Sequence, residues 1–314
     1  MKKNIIKLSA IVFAASALAV SCEKNFEGEA PAEQTKQITF TAQMPETRTT
    51  FSEYDQELWW YPVLWQEGDK IHIFTDKSEA VNMSSDLSGY VSTAKISDGG
   101  KTAVFTQPES LEEATYYYAI TPAACFDNYF NIFQKGAPEY DIKIKNAQNP
   151  LKDSCDPECQ ILFGYSGVVE EGAENVTLVF QHVSAYGKIS FKNFDVKNDD
   201  INQIIIETSK TALVSSREGS WTTSGDYIYD RPGGSSAWNT YKVIYLNGLD
   251  DIKGREAFWF ACWPCELEGE TLTFTVKTTD GTTYVKTVTD HDLVFVEGYV
   301  SAITLDMSKG VVKQ

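Results

Sequence analysis

Apolar and polar residues alternate with a period of two in short runs along most of the chain, and these runs recur roughly every ten to fifteen residues. From Gln37 to Met44 the residues Ile38, Phe40, Ala42 and Met44 share one face, while Thr39, Thr41 and Gln43 share the other. Ile71 and Ile73 flank His72 in the same way, so His72 is expected on a wet face, exposed and isolated like His291. No window of helical period exceeds about two turns. Turn signals at Gly99-Gly100, Asn198-Asp199-Asp200, Pro232-Gly233-Gly234 and Asp250-Asp251 bound the runs. Asp280-Gly281 predicts a hairpin with a two-residue type I′ loop, placing Val276 across from Val285 and Lys277 across from Tyr284. Many short strands separated by such turns predict an all-β chain built from antiparallel sandwiches.

One run changes phase. In "TLVFQHVSAYGKISF" Leu178 and Phe180 share a parity, and Val183, Ala185, Ile189 and Phe191 share the opposite one. A bulge or corner near His182 accommodates the change, as where a strand passes between sheets or domains. His182 then points inward beside Phe180 as a hydrogen-bonded structural histidine.

The N-terminus follows a different pattern. Lys2, Lys3 and Lys7 precede an apolar run from Leu8 to Val20 that is too short to span a bilayer core of ~30 Å. That layout is expected of a secretory signal over residues 1–21. Leu18-Ala19-Val20-Ser21-Cys22 looks like a bacterial lipobox, with Cys22 as the lipidated residue that anchors the chain to a membrane. The tether that follows, residues 22–37, is poor in large apolar side chains and has a reach of roughly 20 Å.

About 290 residues then remain, enough for two ordinary domains. The net charge of −17 becomes −20 without the three signal lysines, because residues 1–21 contain no acid. Such a surface disfavours nucleic acid and anionic lipid surfaces as partners. Five cysteines accompany Cys22: Cys125, Cys155, Cys159, Cys262 and Cys265. Cys262-Trp263-Pro264-Cys265 has redox-pair spacing, but a hairpin pattern follows it instead of the helix that lowers a thiol pKa, so a strand end is expected. Cys155 and Cys159 bracket a polar loop that closes a small ring or holds an adventitious metal, without a second pair at zinc spacing. No Ser/His/Asp set, metal triad or phosphate loop is legible; the chain is read as a non-enzyme without cofactor.

Several segments, taken in order, resemble one family. "WQEGDKIHIF", Trp65 to Phe74, is similar to the W-x-x-G-D-x-I-x-V-F segment of the fimbrillin-like proteins, and Thr47-Arg48-Thr49 to the T-R-T upstream of it. "TYYYAITP", "ILFGYS", "LVFQHVSA" and the closing "VEGYVSAITL" resemble further family strands, so the likeness runs from about Ile38 to Leu305.

The resemblance implies two tandem transthyretin-like Greek-key β-sandwiches, residues 38–185 and 186–314, on a lipid-anchored precursor. It also implies an outer-membrane pilus or adhesin subunit whose partners are other pilin subunits or surface receptors. In such a subunit an Arg-specific protease cuts after the first strand, here at Arg48, and releases the strand carrying Ile38, Phe40, Ala42 and Met44. A partner's strand then fills the groove, an exchange expected to be favoured by a first strand at a sheet edge. Only nine residues follow Leu305, without a long alternating apolar stretch, which favours a tip, accessory or non-polymerising subunit. The rival reading is a monomeric glycan-binding surface lipoprotein in which Trp59 and Trp60 lie under sugar rings.

Overall fold

The computed structural model describes residues 37–44, 58–60, 63–75, 90–107, 111–122, 125–131, 139–214, 216–221, 227–229 and 241–313. Cys22, Arg48 and Pro232-Gly233-Gly234 lie outside the described residues.

The described chain is all-β, and its helical pieces are single 3-10 turns. The strands are β1 (Thr39–Gln43), β2 (Leu58–Trp60), β3 (Lys70–Thr75), β4 (Tyr90–Ser92), β5 (Lys95–Ser97), β6 (Thr102–Thr106), β7 (Tyr117–Thr121) and β8 (Phe126–Asn131). Then come β9 (Glu139–Lys143), β10 (Ala147–Gln148), β11 (Leu162–Tyr165), β12 (Asn175–His182), β13 (Ala185–Lys192), β14 (Ile201–Thr208), β15 (Ser216–Trp221) and β16 (Tyr227–Tyr229). The last are β17 (Val243–Leu246), β18 (Phe258–Cys262), β19 (Cys265–Glu266), β20 (Leu272–Thr278), β21 (Thr283–Val288), β22 (Val294–Phe295), β23 (Tyr299–Asp306) and β24 (Val311–Lys313).

An eight-stranded sheet in the order β4, β3, β7, β11, β12, β1, β6, β5 takes all its strands from residues 39–182. This sheet closes over its own apolar face. Phe40 of β1 meets Tyr117 of β7 edge-on at 5.1 Å, although β7 stands three places away in the sheet. Neighbouring strands are ~4.8 Å apart, so only a curled sheet brings those rings together. Trp65 fills the fold between the halves, edge-on to Phe105 at 5.4 Å and Phe180 at 5.1 Å.

A second core lies between a six-stranded sheet (β10, β17, β14, β20, β21, β24) and a four-stranded one (β18, β13, β23, β2). Both sheets draw mainly on residues after 185, but each takes one edge strand, β10 or β2, from earlier in the chain. Another four-stranded sheet, β16, β15, β9, β8, mixes both parts of the chain. The change of phase near His182 is a corner: β12 ends at His182 in the first sheet and β13 begins at Ala185 in another. His182 is 1% exposed, with Nδ1 2.8 Å from the Tyr186 hydroxyl. The two parts repeat a device, since β1 runs parallel to β12 and β13 runs parallel to β23, while most other pairs are antiparallel.

Four sequence-based expectations change. His72 is buried, not exposed, with its ring 5.7 Å from Phe74. The reason is that β3 lies between the two cores, with Ile71 and Ile73 in one and Phe74 in the other, so neither face is wet. His291 is half-buried, and its Nδ1 accepts from Leu293 N at 3.4 Å. The hairpin after β20 pairs Val276 with Tyr284 and Lys277 with Thr283. Its loop has three residues, because Gly281 N donates to Thr278 O and Thr278 N to Thr282 O, both at 3.0 Å, with Gly281 at φ 87°. A type I turn closed by a left-handed glycine shifts the register by one, which brings Tyr284 against Phe194 at 5.0 Å. Finally, the segment "VEGYVSAITL", which resembles the family's last strand, forms β23 but is followed by a further strand, β24, on the edge of β21.

Two glycines admit aromatic rings from a neighbouring strand. Gly164 pairs with Phe180 and Gly187 with Phe260. A Cβ at Gly164 would stand 2.7 Å from the Phe180 ring, and one at Gly187 would stand 2.1 Å from the Phe260 ring. The acid-rich turns at Asn198–Asp200 and Leu249–Asp251 are tied together by Arg255, 4% exposed, which donates to the carbonyls of Leu249, Ile252, Asn198 and Ile201.

Candidate functional site

The β1 slot joins Ile38, Phe40, Ala42 and Met44, half of the site residues expected from sequence. In "TFTAQ" a β-branched or polar residue alternates with an apolar one, the pattern of a strand with one buried face. Phe40 and Ala42 are fully buried, Ile38 is 4% exposed and Met44 is half-buried. The first strand is not at an edge, the position that would have favoured strand exchange. It is bonded to β12 in parallel and to β6 antiparallel, with Phe40 beside both Val176 and Phe105. Alternation reports which face is buried and says nothing of how many neighbours a strand has, so the sequence could not separate edge from interior.

Both ends of β1 are held. Ile38 N donates to Gln107 Oε1 at 2.7 Å, and Gln107 N donates to Ile38 O at 2.9 Å, so one residue takes both polar groups of Ile38. Gln107 Nε2 is itself tied to Leu111 O. At the other end Met44 N donates to Lys101 O at 2.9 Å. Gln107 was not among the expected site residues, and a glutamine ending a strand carries no local signal of such a role.

The Trp65 to Asp69 segment is a built turn. Gln66 N donates to Asp69 Oδ2 at 2.7 Å, Asp69 N donates to Gln66 O at 3.2 Å, and Gly68 takes φ 90°. Burial pushes the Asp69 carboxyl up, and the bond from Gln66 N offsets this only in part. The turn plants Trp65 in the first core and leaves Leu64 47% exposed. Beside it lies a cleft of about 420 Å³ whose described lining includes Met44, Leu64, Trp65, Leu151, Pro157 and Glu158.

Trp59 and Trp60 lie in β2 at the edge of a sheet, with Trp59 in register with Val300 and Trp60 with Tyr299. The CWPC segment spans the end of β18 and the start of β19, and Trp263 N donates to Leu213 O at 2.8 Å. No helix follows it. None of the five described cysteines is in a disulfide, and burial pushes the Cys125 and Cys159 thiols well up. Among the described residues no three His, Cys, Asp or Glu side chains gather as a metal site, and no helix is long and apolar enough to cross a membrane.

The site is an aromatic-filled all-β fold whose first described strand is inserted between two others, and the comparisons give it a family. The fimbrillin-like family model matches residues 47–314, and the chain belongs to that family. Membership makes it a pilus or adhesin subunit of the cell surface, in a family of structural proteins. A candidate cell adhesion protein from Bacteroides ovatus shares the fold at a TM-score of 0.50 and 13% identity, over 89% of this chain and 95% of that one. One from Bacteroides uniformis is 16% identical over 91% of this chain and 97% of its own, with a TM-score of 0.48. The tip fimbrial protein Mfa3 from Porphyromonas gingivalis, C-terminally truncated, is 12% identical over 88% and 98%, with a TM-score of 0.32. No curated protein matches.

Proposed function

We propose that the chain is a lipid-anchored, surface-exposed fimbrillin-like subunit of tip, accessory or non-polymerising type, assembled by strand donation after Arg-specific cleavage at Arg48. The observation that carries this reading is the β1 slot: a five-residue strand buried on one face, bonded on both sides, and followed within a few residues by Arg48. Its loss would leave the facing edges of β6 and β12 unpaired over an apolar groove, the arrangement that β-augmentation completes. Each large side chain of β1 contributes ~1.5–3 kcal/mol when buried, so the vacated body should accept a replacement strand. The family match begins at Thr47, and β1 stands before it.

Cys22 anchors the precursor in the outer membrane in this reading, and two sandwiches, 38–185 and 186–314, form the body. The non-shaft assignment is supported by β24, whose Val311, Val312 and Lys313 are already paired with β21 of the same chain. Other pilin subunits or surface receptors are the partners.

Arg-specific digestion of the intact protein tests this. Cleavage should occur first at Arg48, and removal of the released segment should lower the melting temperature and raise binding of apolar dyes. A synthetic peptide of residues 37–45 should restore the melt. A native protein resistant at Arg48, or a cleaved one with an unchanged melt and no affinity for the peptide, would overturn the strand-donation reading. Cys22→Ser should abolish lipid labelling and release the protein from the membrane fraction.

A further inference from the structure

We propose that the outer face of the six-stranded sheet is an interface between two copies of this chain, packed face to face about a two-fold axis that lies along an apolar row. The pairing concerns the intact chain and is independent of Arg48 cleavage and of strand donation.

One outward residue from each of the six strands stands in a single register row, apolar but for Thr275. Ala147 of β10 lies beside Tyr245 of β17, Tyr245 beside Ile205 of β14, and Ile205 beside Thr275 of β20. Val285 of β21 and Val312 of β24 continue the row to the far edge. The alternate residues Ile204, Ile206, Ile244, Phe274 and Val276 fill the second core, so this row points away from it. Val312 is 57% exposed, Ala147 is exposed, and the four between them are half-buried. Single apolar residues on a surface need no explanation, but a continuous row over strands ~4.8 Å apart is a patch about 25 Å long.

Polar rows flank it. On one side Val243, Glu207, Thr273 and Thr287 are in register. On the other are Gln203, Lys277 and Thr283, with Gln203 Nε2 donating to Asn247 Oδ1 at 2.6 Å. Among these described positions Glu207 and Lys277 carry the only charges. Glu207 pairs with Thr273, four residues from Lys277, so the two stand ~14 Å apart and cannot meet within one chain. A two-fold axis along the apolar row lays each flanking row on the partner's opposite one, which brings Glu207 beside the partner's Lys277. By symmetry Lys277 meets the partner's Glu207 at the same time. An axis along the strands would instead set the two Glu207 rows together, so the charges choose the first arrangement. The whole chain carries −17, yet this face is balanced, which lets a second acidic copy approach it. Three outward residues on each of six strands cover on the order of 600 Å² per copy, or roughly 1,200 Å² in all, the lower end of specific interfaces.

The test is sedimentation equilibrium of the intact chain carrying Cys22→Ser, so that no lipid anchor holds copies together. A dimer should form with a micromolar dissociation constant. Val285→Thr with Val312→Thr keeps β-branched residues in the strands and should weaken the dimer about tenfold while leaving the monomer's melting temperature unchanged. Glu207→Lys or Lys277→Glu alone should weaken it about threefold, and the two together in one chain should restore it. A monomer at every concentration up to the millimolar range would overturn the interface, as would a dimer indifferent to the two valine substitutions. A charge-exchanged chain that stays weak would overturn the two-fold arrangement. A monomer that instead floats with phosphatidylcholine vesicles, and loses them with the valine substitutions, would give the row to a lipid surface and overturn the second copy.

Discussion

At the scale of single residues, the chain depends on a few side chains that close local accounts. Gly187 is required by ring contact, because any Cβ there would overlap Phe260. Gly187→Ala should cost roughly 1–3 kcal/mol through overpacking, read as a lower urea midpoint with an unchanged slope. Glu270, 6% exposed, makes a different kind of contribution. Burial pushes its carboxyl up, but bonds from Thr211 Oγ1, Thr211 N and Lys210 N outweigh this and hold it below the ordinary range. A depressed carboxyl binds fewer protons folded than unfolded, so its stabilisation is complete above the unfolded pKa and is lost as pH falls through the folded one. Glu270→Gln should therefore melt below the wild type at pH 7, and the gap should narrow as the pH is lowered past about 4.5.

At the scale of elements, side chains finish what strand pairing leaves open. Gln148 of β10 is fully buried; its Nε2 donates to Ala261 O at 2.7 Å and its Oε1 accepts from Ala261 N at 2.9 Å. Because β10 pairs with β17 in one sheet and Ala261 sits on β18 at the edge of the other, a single side chain joins the two layers. Gln148→Ala should cost roughly 1–3 kcal/mol for each Ala261 group left unpaired, and faster hydrogen exchange at the Ala261 amide would report the loss directly. Gln107 plays the matching part at β1. Gln107→Ala should loosen the Ile38 end of the strand, so the nicked protein releases its N-terminal fragment at a lower denaturant concentration.

At the scale of the whole molecule, the inserted first strand ties one continuous chain to one closed sheet. Phe40 is the centre of that closure, wedged beside Val176 and Phe105 and edge-on to Tyr117. Phe40→Ala should cost about 3–5 kcal/mol, measured by chemical denaturation. The same substitution in a free peptide of residues 37–45 should remove its ability to restore the nicked protein's melt.

The sequence by itself determined the all-β class, the inward face of β1, the corner at His182 and, through the Trp65 turn and the segments after it, the family. These are local properties: period-two alternation and turn chemistry are written in neighbouring residues. Only the tertiary structure decided that β1 lies between β6 and β12, that both faces of β3 are covered so that His72 is buried, and that Gln107 and Gln148 hold distant backbone. Each of these depends on partners far along the chain, from Ile38 to Gln107 and from Gln148 to Ala261, and alternation carries no record of which strand will lie alongside. The hairpin at Gly281 shows the limit at short range. Asp280-Gly281 fits a two-residue loop as well as a three-residue one, and the core decides between them by placing Tyr284 against Phe194.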